Sequence, residues 1–308
     1  MRHTAEMGVR RLAVAGLAAL AAVVTACSSS APANRGSGTA SSSTSSAPES
    51  VAPNGLPVPE HVMVVIFENE DAENIVGGRN APYLTELAGS GATFADAHGV
   101  AHPSQPNYLA MFSGSTQGVT NDDCPLTFAG PNLASQLTAA GRTFTGYSED
   151  LPAAGFTGCR AGGYARKHNP WVDFSDVPAD LNQPYSALPA DFSDLPTVSV
   201  VVPNLCNDMH DCGVAAGDRW AQQHLPAYTA WAQDHDSLLV VTFDEDNGSS
   251  ANHIATILVG PMVATGTSDQ RVDHYSLLRT LEDMYGLPPL GEAAAAAPFA
   301  GVWAEPEG

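Results

Sequence analysis

Positive charge is scarce: 12 Lys and Arg stand against 33 Asp and Glu in 308 residues, a formal net charge of −21. Three arginines and one glutamate lie in the first 26 residues, so the remainder carries −23. A surface this acidic excludes nucleic acid, or anionic headgroups over a broad patch, as partners. A phosphate-bearing ligand would have to be met locally, by a cation, a lysine or a helix N-terminus. Internal repeats are lacking, and so is a second apolar run long enough to span a bilayer, which leaves one large domain. Cysteine is sparse too. Beyond Cys27 there are four, Cys124, Cys159, Cys206 and Cys212, an even number that reads as two disulfides in an exported chain. Three connectivities are open. The short loop between Cys206 and Cys212 favours Cys206–Cys212 with Cys124–Cys159, and the spacings fit no common zinc motif.

The N-terminus carries a basic head (Arg2, Arg10, Arg11), an apolar run from Leu12 to Val24, and then Val24-Thr25-Ala26-Cys27. This resembles the lipobox of bacterial lipoproteins. Residues 1–26 are expected to be a signal removed before a lipidated Cys27, which would anchor the chain to the extracytoplasmic face of the membrane. A plain secretory signal or an uncleaved short helix are the alternatives. Residues 27–59, rich in Ser, Ala and Pro, cannot bury enough surface to offset their ordering entropy and read as a tether. The folded domain is expected over residues 60–308.

Within it, Val62 to Phe67 is a continuous apolar run, as a strand buried on both faces requires. Similar runs occur at Thr197 to Val202, Leu238 to Phe243 and Ile254 to Val259. Helical patterns alternate with them. Pro82 opens one, Asn132 to Ala140 is another that stops at Gly141, Asp218 is placed to cap a third that Pro226 divides, and Asp273 caps His274 to Tyr285. The alternation predicts an α/β fold, a three-layer αβα sandwich with a mostly parallel central sheet, and ligands at the carboxyl ends of its strands.

Polar clusters follow three of these strands: Glu68-Asn69-Glu70, Asn204 with Asn207 to Asp211, and Asp244-Glu245-Asp246. Any one would suit a solvated strand end. Together they describe a hard, oxygen-rich site for a divalent cation. Ser104, in Ala101-His102-Pro103-Ser104-Gln105-Pro106-Asn107-Tyr108, opens an apolar helical stretch. Backbone N–H groups and the helix dipole there favour phosphate, although a serine in that place is more often a helix cap. Lys167 and His168 supply compact positive charge in an acidic domain.

These segments, with Lys167 to Trp171, Pro203-Asn204, Gly217-Asp218 and His274 to Leu278, resemble in order and spacing the successive motifs of the bacterial acid phosphatase and phospholipase C phosphoesterase family. They look most like its secreted mycobacterial acid phosphatases that act on phosphatidylinositol 3-phosphate. The resemblance implies an alkaline-phosphatase-like fold and a serine nucleophile bound to one divalent metal ion, calcium, magnesium or manganese. It implies Ser104 as nucleophile and metal ligand, with Glu68, Asn69, Asp244 and Glu245 completing the metal set. Some members have two aspartates where this chain has Asp244-Glu245. Lys167, His168 and His210 match positions near the phosphate, and Asn107 and Asp208 are expected to meet the substrate. The implied activity is hydrolysis of a phosphomonoester, including a phosphoinositide, through a phosphoseryl intermediate, with His168 or His210 protonating the leaving oxygen. A phospholipase C-type phosphodiesterase and a non-catalytic tethered binding lipoprotein are the alternatives.

Overall fold

The apolar runs form the centre of the sheet, and polar strands, silent in the sequence pattern, extend it. The computed structural model describes residues 51–305. Cys27, the signal and most of the tether lie outside those residues. The strands are β1 (Val62–Phe67), β2 (Ala92–His98), β3 (Phe144–Ser148), β4 (Arg160–Ala161), β5 (Tyr164–Ala165), β6 (Asn182–Pro184), β7 (Val198–Val202), β8 (Leu238–Phe243), β9 (Thr256–Val259) and β10 (Gly266–Asp273). Eight of them make one sheet in the order β10-β2-β9-β8-β1-β7-β3-β6, while β4 and β5 form a small hairpin. All neighbours in the large sheet are parallel except β9, which runs antiparallel to both β2 and β8. Every residue of β1, β7, β8 and β9 is buried. Such strands must be covered on both faces, which the helices do.

The helices are α1 (Ala72–Ile75), α2 (Pro82–Ser90), α3 (Ser104–Ser113), α4 (Leu133–Ala139), α5 (Val214–His224), α6 (Pro226–Gln233) and α7 (His274–Met284). One layer joins α3 to α4 and α7; the other joins α5 to α2 and α6. The result is an α/β fold with a mostly parallel central sheet, as the sequence implied. Asn132 caps α4 in a reciprocal box with Ser135, and Asp273 caps α7 by accepting from Ser276 N at 3.0 Å. Pro226 sits in the first turn of α6 and separates it from α5.

Two expectations are revised. Asp218 lies inside α5, which starts at Val214, and its carboxylate accepts from Leu84 N at 2.9 Å and Tyr83 N at 3.3 Å. It therefore caps α2 from a neighbouring helix. The folded part also begins before residue 60, because Ala52 and Leu56 are buried and Val51 bridges Pro57.

Candidate active site

Four carboxylates, a serine, a tyrosine and a histidine converge, all buried, at the carboxyl ends of the central strands. Glu68 follows β1, Asp244 and Glu245 follow β8, and Asp208 lies in the loop after β7. Ser104 opens α3, which is buried along its length and so is fixed in direction. Its Oγ lies 2.9 Å from Glu68 Oε2 and 3.1 Å from Glu245 Oε1. The hydroxyl has one proton and can serve only one of them at a time. One helical turn on, Tyr108 donates to Glu68 Oε1 at 2.6 Å.

His168 stacks on Tyr108 with ring centroids 5.0 Å apart. Its Nε2 is 3.1 Å from Glu68 Oε1 and its Nδ1 is 3.4 Å from Asp208 Oδ2. Neither approach is aligned as a hydrogen bond, so His168 Nε2 and Asp208 Oδ2 are buried without a partner, as is Asp244 Oδ2. The other oxygen of Asp244 accepts from Asn69 N at 3.3 Å. Asn69 stands at φ +58°, a left-handed conformation that asparagine tolerates better than most residues, and this turns its amide toward Asp244.

Burial dominates the electrostatics. It pushes Glu68 up to about 7, with His168 opposing, and Asp208 also to about 7. Asp244 is raised well above the carboxylate range by burial and then by Glu68 and Glu245. Glu245 is raised by burial against the lowering effect of His102. His168 falls to about 4, again through burial. Packing four carboxylates out of water around so little positive charge is costly unless protons or a cation neutralise them. The orphaned oxygens and imidazole nitrogen form a donor set for a divalent ion. Ligand atoms of Glu68, His168 and Asp208 lie within 4.8 Å of one another.

A second polar chain forms the rim. Lys167 Nζ donates to Asp122 Oδ2 at 2.7 Å and lies 3.3 Å from His210 Nε2, while His210 Nδ1 is 2.7 Å from Asp211 Oδ1. Asp122 Oδ1 accepts from Gln105 N, in the first turn of α3, at 3.0 Å. Burial raises the Asp122 pKa, but Lys167 and the Gln105 amide outweigh it and hold the group below its ordinary value. Disulfides brace both contributing loops, Cys124–Cys159 beside Asp122 and Cys206–Cys212 around Asp208 and His210. Gly217 of α5 packs on that second loop. A Cβ there would stand 2.5 Å from Met209 Cγ and 2.9 Å from Asn207 O.

A family model described as the phosphoesterase family matches residues 78–288. The chain belongs to the phosphoesterase family. This phosphoesterase is 49% identical over 258 residues to the phosphatidylinositol-3-phosphatase of Mycobacterium tuberculosis, a match covering 83% of this chain and 86% of that protein. It is 34% identical over 244 residues to the phosphate-repressible acid phosphatase of Penicillium chrysogenum, covering 73% of this chain and 58% of the fungal protein. A solved protein of the alkaline phosphatase superfamily from Vibrio parahaemolyticus shares the fold, with a TM-score of 0.56 and 14% identity over 81% of this chain and 72% of that one.

Of the residues singled out in the sequence, the structure gathers Glu68, Ser104, Asp244, Glu245, His168 and Asp208 into the buried cluster, with half-buried Asn69 beside Glu68 and with Lys167 and His210 at the rim. Asn107 is different. Its Oδ1 accepts from Val100 N and Ala101 N, both at 2.9 Å, and its Nδ2 donates to Ala101 O and Pro103 O. With its amide committed to backbone, Asn107 shapes the loop before Ser104 and has no group left for substrate. Asp208 is fully buried beside His168, among groups suited to a cation, away from any exposed substrate surface. Sequence reasoning gave no role to His102, Tyr108 or Asp122. His102 Nδ1 bonds Glu245 Oε2 and its Nε2 lies 3.0 Å from Ser249 O, so it orients the carboxylate that faces Ser104. The signal for His102 and Tyr108 was proximity to Ser104 in one segment; Asp122 had none beyond its neighbouring cysteine.

Proposed function

We propose that this phosphoesterase hydrolyses phosphomonoesters by attack of Ser104 on phosphorus. The observation that carries the reading is the placement of the Ser104 hydroxyl against two buried carboxylates, Glu68 and Glu245, at the N-terminus of a buried helix. The relatives named as phosphatases, and the family to which the chain belongs, support the reaction class.

A divalent metal would be held by Glu68, Asn69, Ser104, Asp244 and Glu245, of which Asp244 has an unpartnered oxygen; His168 and Asp208, also with unpartnered atoms, lie with Glu68 as a second group of ligand atoms. When bound, such an ion supplies Lewis-acid charge that lowers the serine pKa and neutralises phosphoryl oxygen. Ionic radius and ligand hardness leave calcium, magnesium and manganese as candidates. On the protein side, Glu68 or Glu245 accepts the Ser104 proton as the hydroxyl attacks, and Tyr108 and His102 hold those carboxylates in place. Attack forms an Oγ–phosphorus bond and breaks the bond from phosphorus to the leaving oxygen. Lys167 faces the developing charge on the equatorial oxygens. His210, with its side chain 26% exposed against 1% for His168, is the imidazole that a leaving alkoxide can reach. Water then cleaves the phosphoserine.

Support for an extracytoplasmic site of action comes from the two disulfides, which persist in oxidising compartments. Release of residues 1–26 and lipidation of Cys27 would place the folded domain outside the membrane on a short tether, a reading resting on the sequence pattern. Among the described residues no helix is long and apolar enough to cross a membrane. A phosphoinositide substrate is supported by the name of the mycobacterial relative.

The test is Ser104→Ala assayed on p-nitrophenyl phosphate and on a diester analogue. Loss of monoester turnover with unchanged circular dichroism is expected. Retained turnover overturns the serine mechanism, and faster wild-type cleavage of the diester favours a phospholipase C reaction.

A further inference from the structure

Lys167 is the single lysine among 308 residues. The chain thus carries one ammonium group besides its α-amine, and Asp122 takes hold of it. We infer that Asp122 is a positioning residue, which fixes the Lys167 ammonium over the first turn of the nucleophile helix. The inference rests on the phosphomonoesterase reading above.

Geometry makes Asp122 a two-ended clasp. One oxygen accepts the Gln105 amide next to Ser104 at 3.0 Å, and the other takes Lys167 Nζ at 2.7 Å. A long, flexible lysine would otherwise spread its charge over many rotamers, which is costly to order at the moment of reaction. Both ends of the clasp are fixed in turn. Cys124, two residues after Asp122, is bonded to Cys159, whose carbonyl accepts from Arg166 N at 3.0 Å, just before Lys167. Arg166 is itself buried and ion-paired with Asp173, donating through Nε at 2.9 Å with Nη2 2.8 Å from the same oxygen. The arginine therefore anchors the segment while the lysine beside it serves the site.

An anion at the mouth of a phosphate site repels the substrate. Its presence is reconciled by what it does to the lysine. Of the three ammonium hydrogens Asp122 engages one, so the others remain to be aimed at phosphoryl oxygen. Misplacing such a charge by an ångström can cost about a hundredfold in rate.

The experiment is a double-mutant cycle on p-nitrophenyl phosphate with wild type, Asp122→Asn, Lys167→Ala and the double variant, beside Ser104→Ala. Asparagine keeps the shape and can still accept from Gln105, so the fold is expected to persist by circular dichroism. Asp122→Asn should lower kcat/KM by about 10- to 100-fold, and by less than about 2-fold when Lys167 is already alanine. Because the chain has one lysine, acetic anhydride labelling read by mass spectrometry on the peptide that holds residue 167 reports that ammonium. Labelling should quicken in Asp122→Asn, since an ammonium no longer held by a carboxylate leaves the clasp and meets the reagent more often. Equal losses in both lysine backgrounds, or unchanged kcat/KM in Asp122→Asn, would overturn the inference. If Ser104→Ala keeps its activity, the phosphomonoesterase reading fails instead, whatever the cycle gives.

Discussion

Tyr108 and Ser104 lie one turn apart on α3 and address opposite oxygens of one carboxylate, Tyr108 donating to Glu68 Oε1 at 2.6 Å and Ser104 Oγ lying 2.9 Å from Oε2. The tyrosine fixes the plane in which Glu68 meets the serine and in which it would meet a cation. Such supporting bonds typically contribute 10- to 100-fold to metal affinity. Tyr108→Phe is therefore expected to weaken binding of a divalent ion by about that factor, measured by calorimetric titration of chelator-treated protein. Unchanged affinity would leave Tyr108 a packing residue.

Asp244 is fully buried with one oxygen unpartnered. Removing its charge relieves repulsion in the metal-free protein and removes a ligand from the loaded one. Asp244→Asn should melt higher than wild type in chelator, yet gain less on adding magnesium, calcium or manganese. Paired thermal scans with and without each ion check both halves. A wild-type melting temperature indifferent to all three would contradict the metal site.

Glu282 lies in α7, far along the sequence from the catalytic segments, and its Oε2 is buried without a partner while Oε1 accepts from Leu290 N at 2.8 Å. Burial raises its pKa from 4.5 to about 7. The fold thus prefers the protonated acid. Its contribution to stability is fully present below about pH 4.5 and is lost as the pH rises through about 7, a change of up to about 3 kcal/mol. In Glu282→Gln the slope of urea unfolding between pH 5 and 8 should be shallower, with Glu68 and Asp208 supplying the remainder, and the variant should be more stable than wild type at pH 8.

Asp218 stops two N–H groups of α2 from being buried without a partner, across a gap of more than 130 residues. Asp218→Ala removes both acceptors and is expected to cost about 2 kcal/mol in denaturant unfolding. The catalytic cluster does not touch Asp218, so kcat/KM at low temperature should stay near wild type.

What could be read from the sequence followed burial. Strands β1, β7, β8 and β9 announce themselves because both faces are covered and their side chains are uniformly apolar. The edge strand β10, reading Gly-Thr-Ser-Asp-Gln-Arg-Val-Asp and largely exposed, has no such pattern; backbone pairing to β2 alone makes it a strand. β2 escapes for a related reason, since Asp96 and neighbouring polar residues interrupt it. Asp218 looked like a helix start because a cap is normally local, and nothing in its neighbourhood points to Tyr83 and Leu84.

At the site, residues that follow an apolar strand were legible, since strand ends collect ligands. The direction of a side chain was not. Asn107 sat one turn from the nucleophile, where an amide suits phosphate, but four backbone partners absorb it. Conversely, Asp122 was hidden because its meaning comes from Gln105 and Lys167, the latter 45 residues away.

The hydrogen bond between Ser104 and Glu245 spans 141 residues of chain, and Asp244 and Glu245 come last among the residues of the cluster. During synthesis Ser104 is made long before Asp244 and Glu245. A chain truncated between Ser104 and Asp244 holds Glu68 and Ser104 but an unfinished site, and no proteolytic half of the domain is expected to work by itself. A cut that releases the segment from Asp244 onward would remove two of the four buried carboxylates of the site at once.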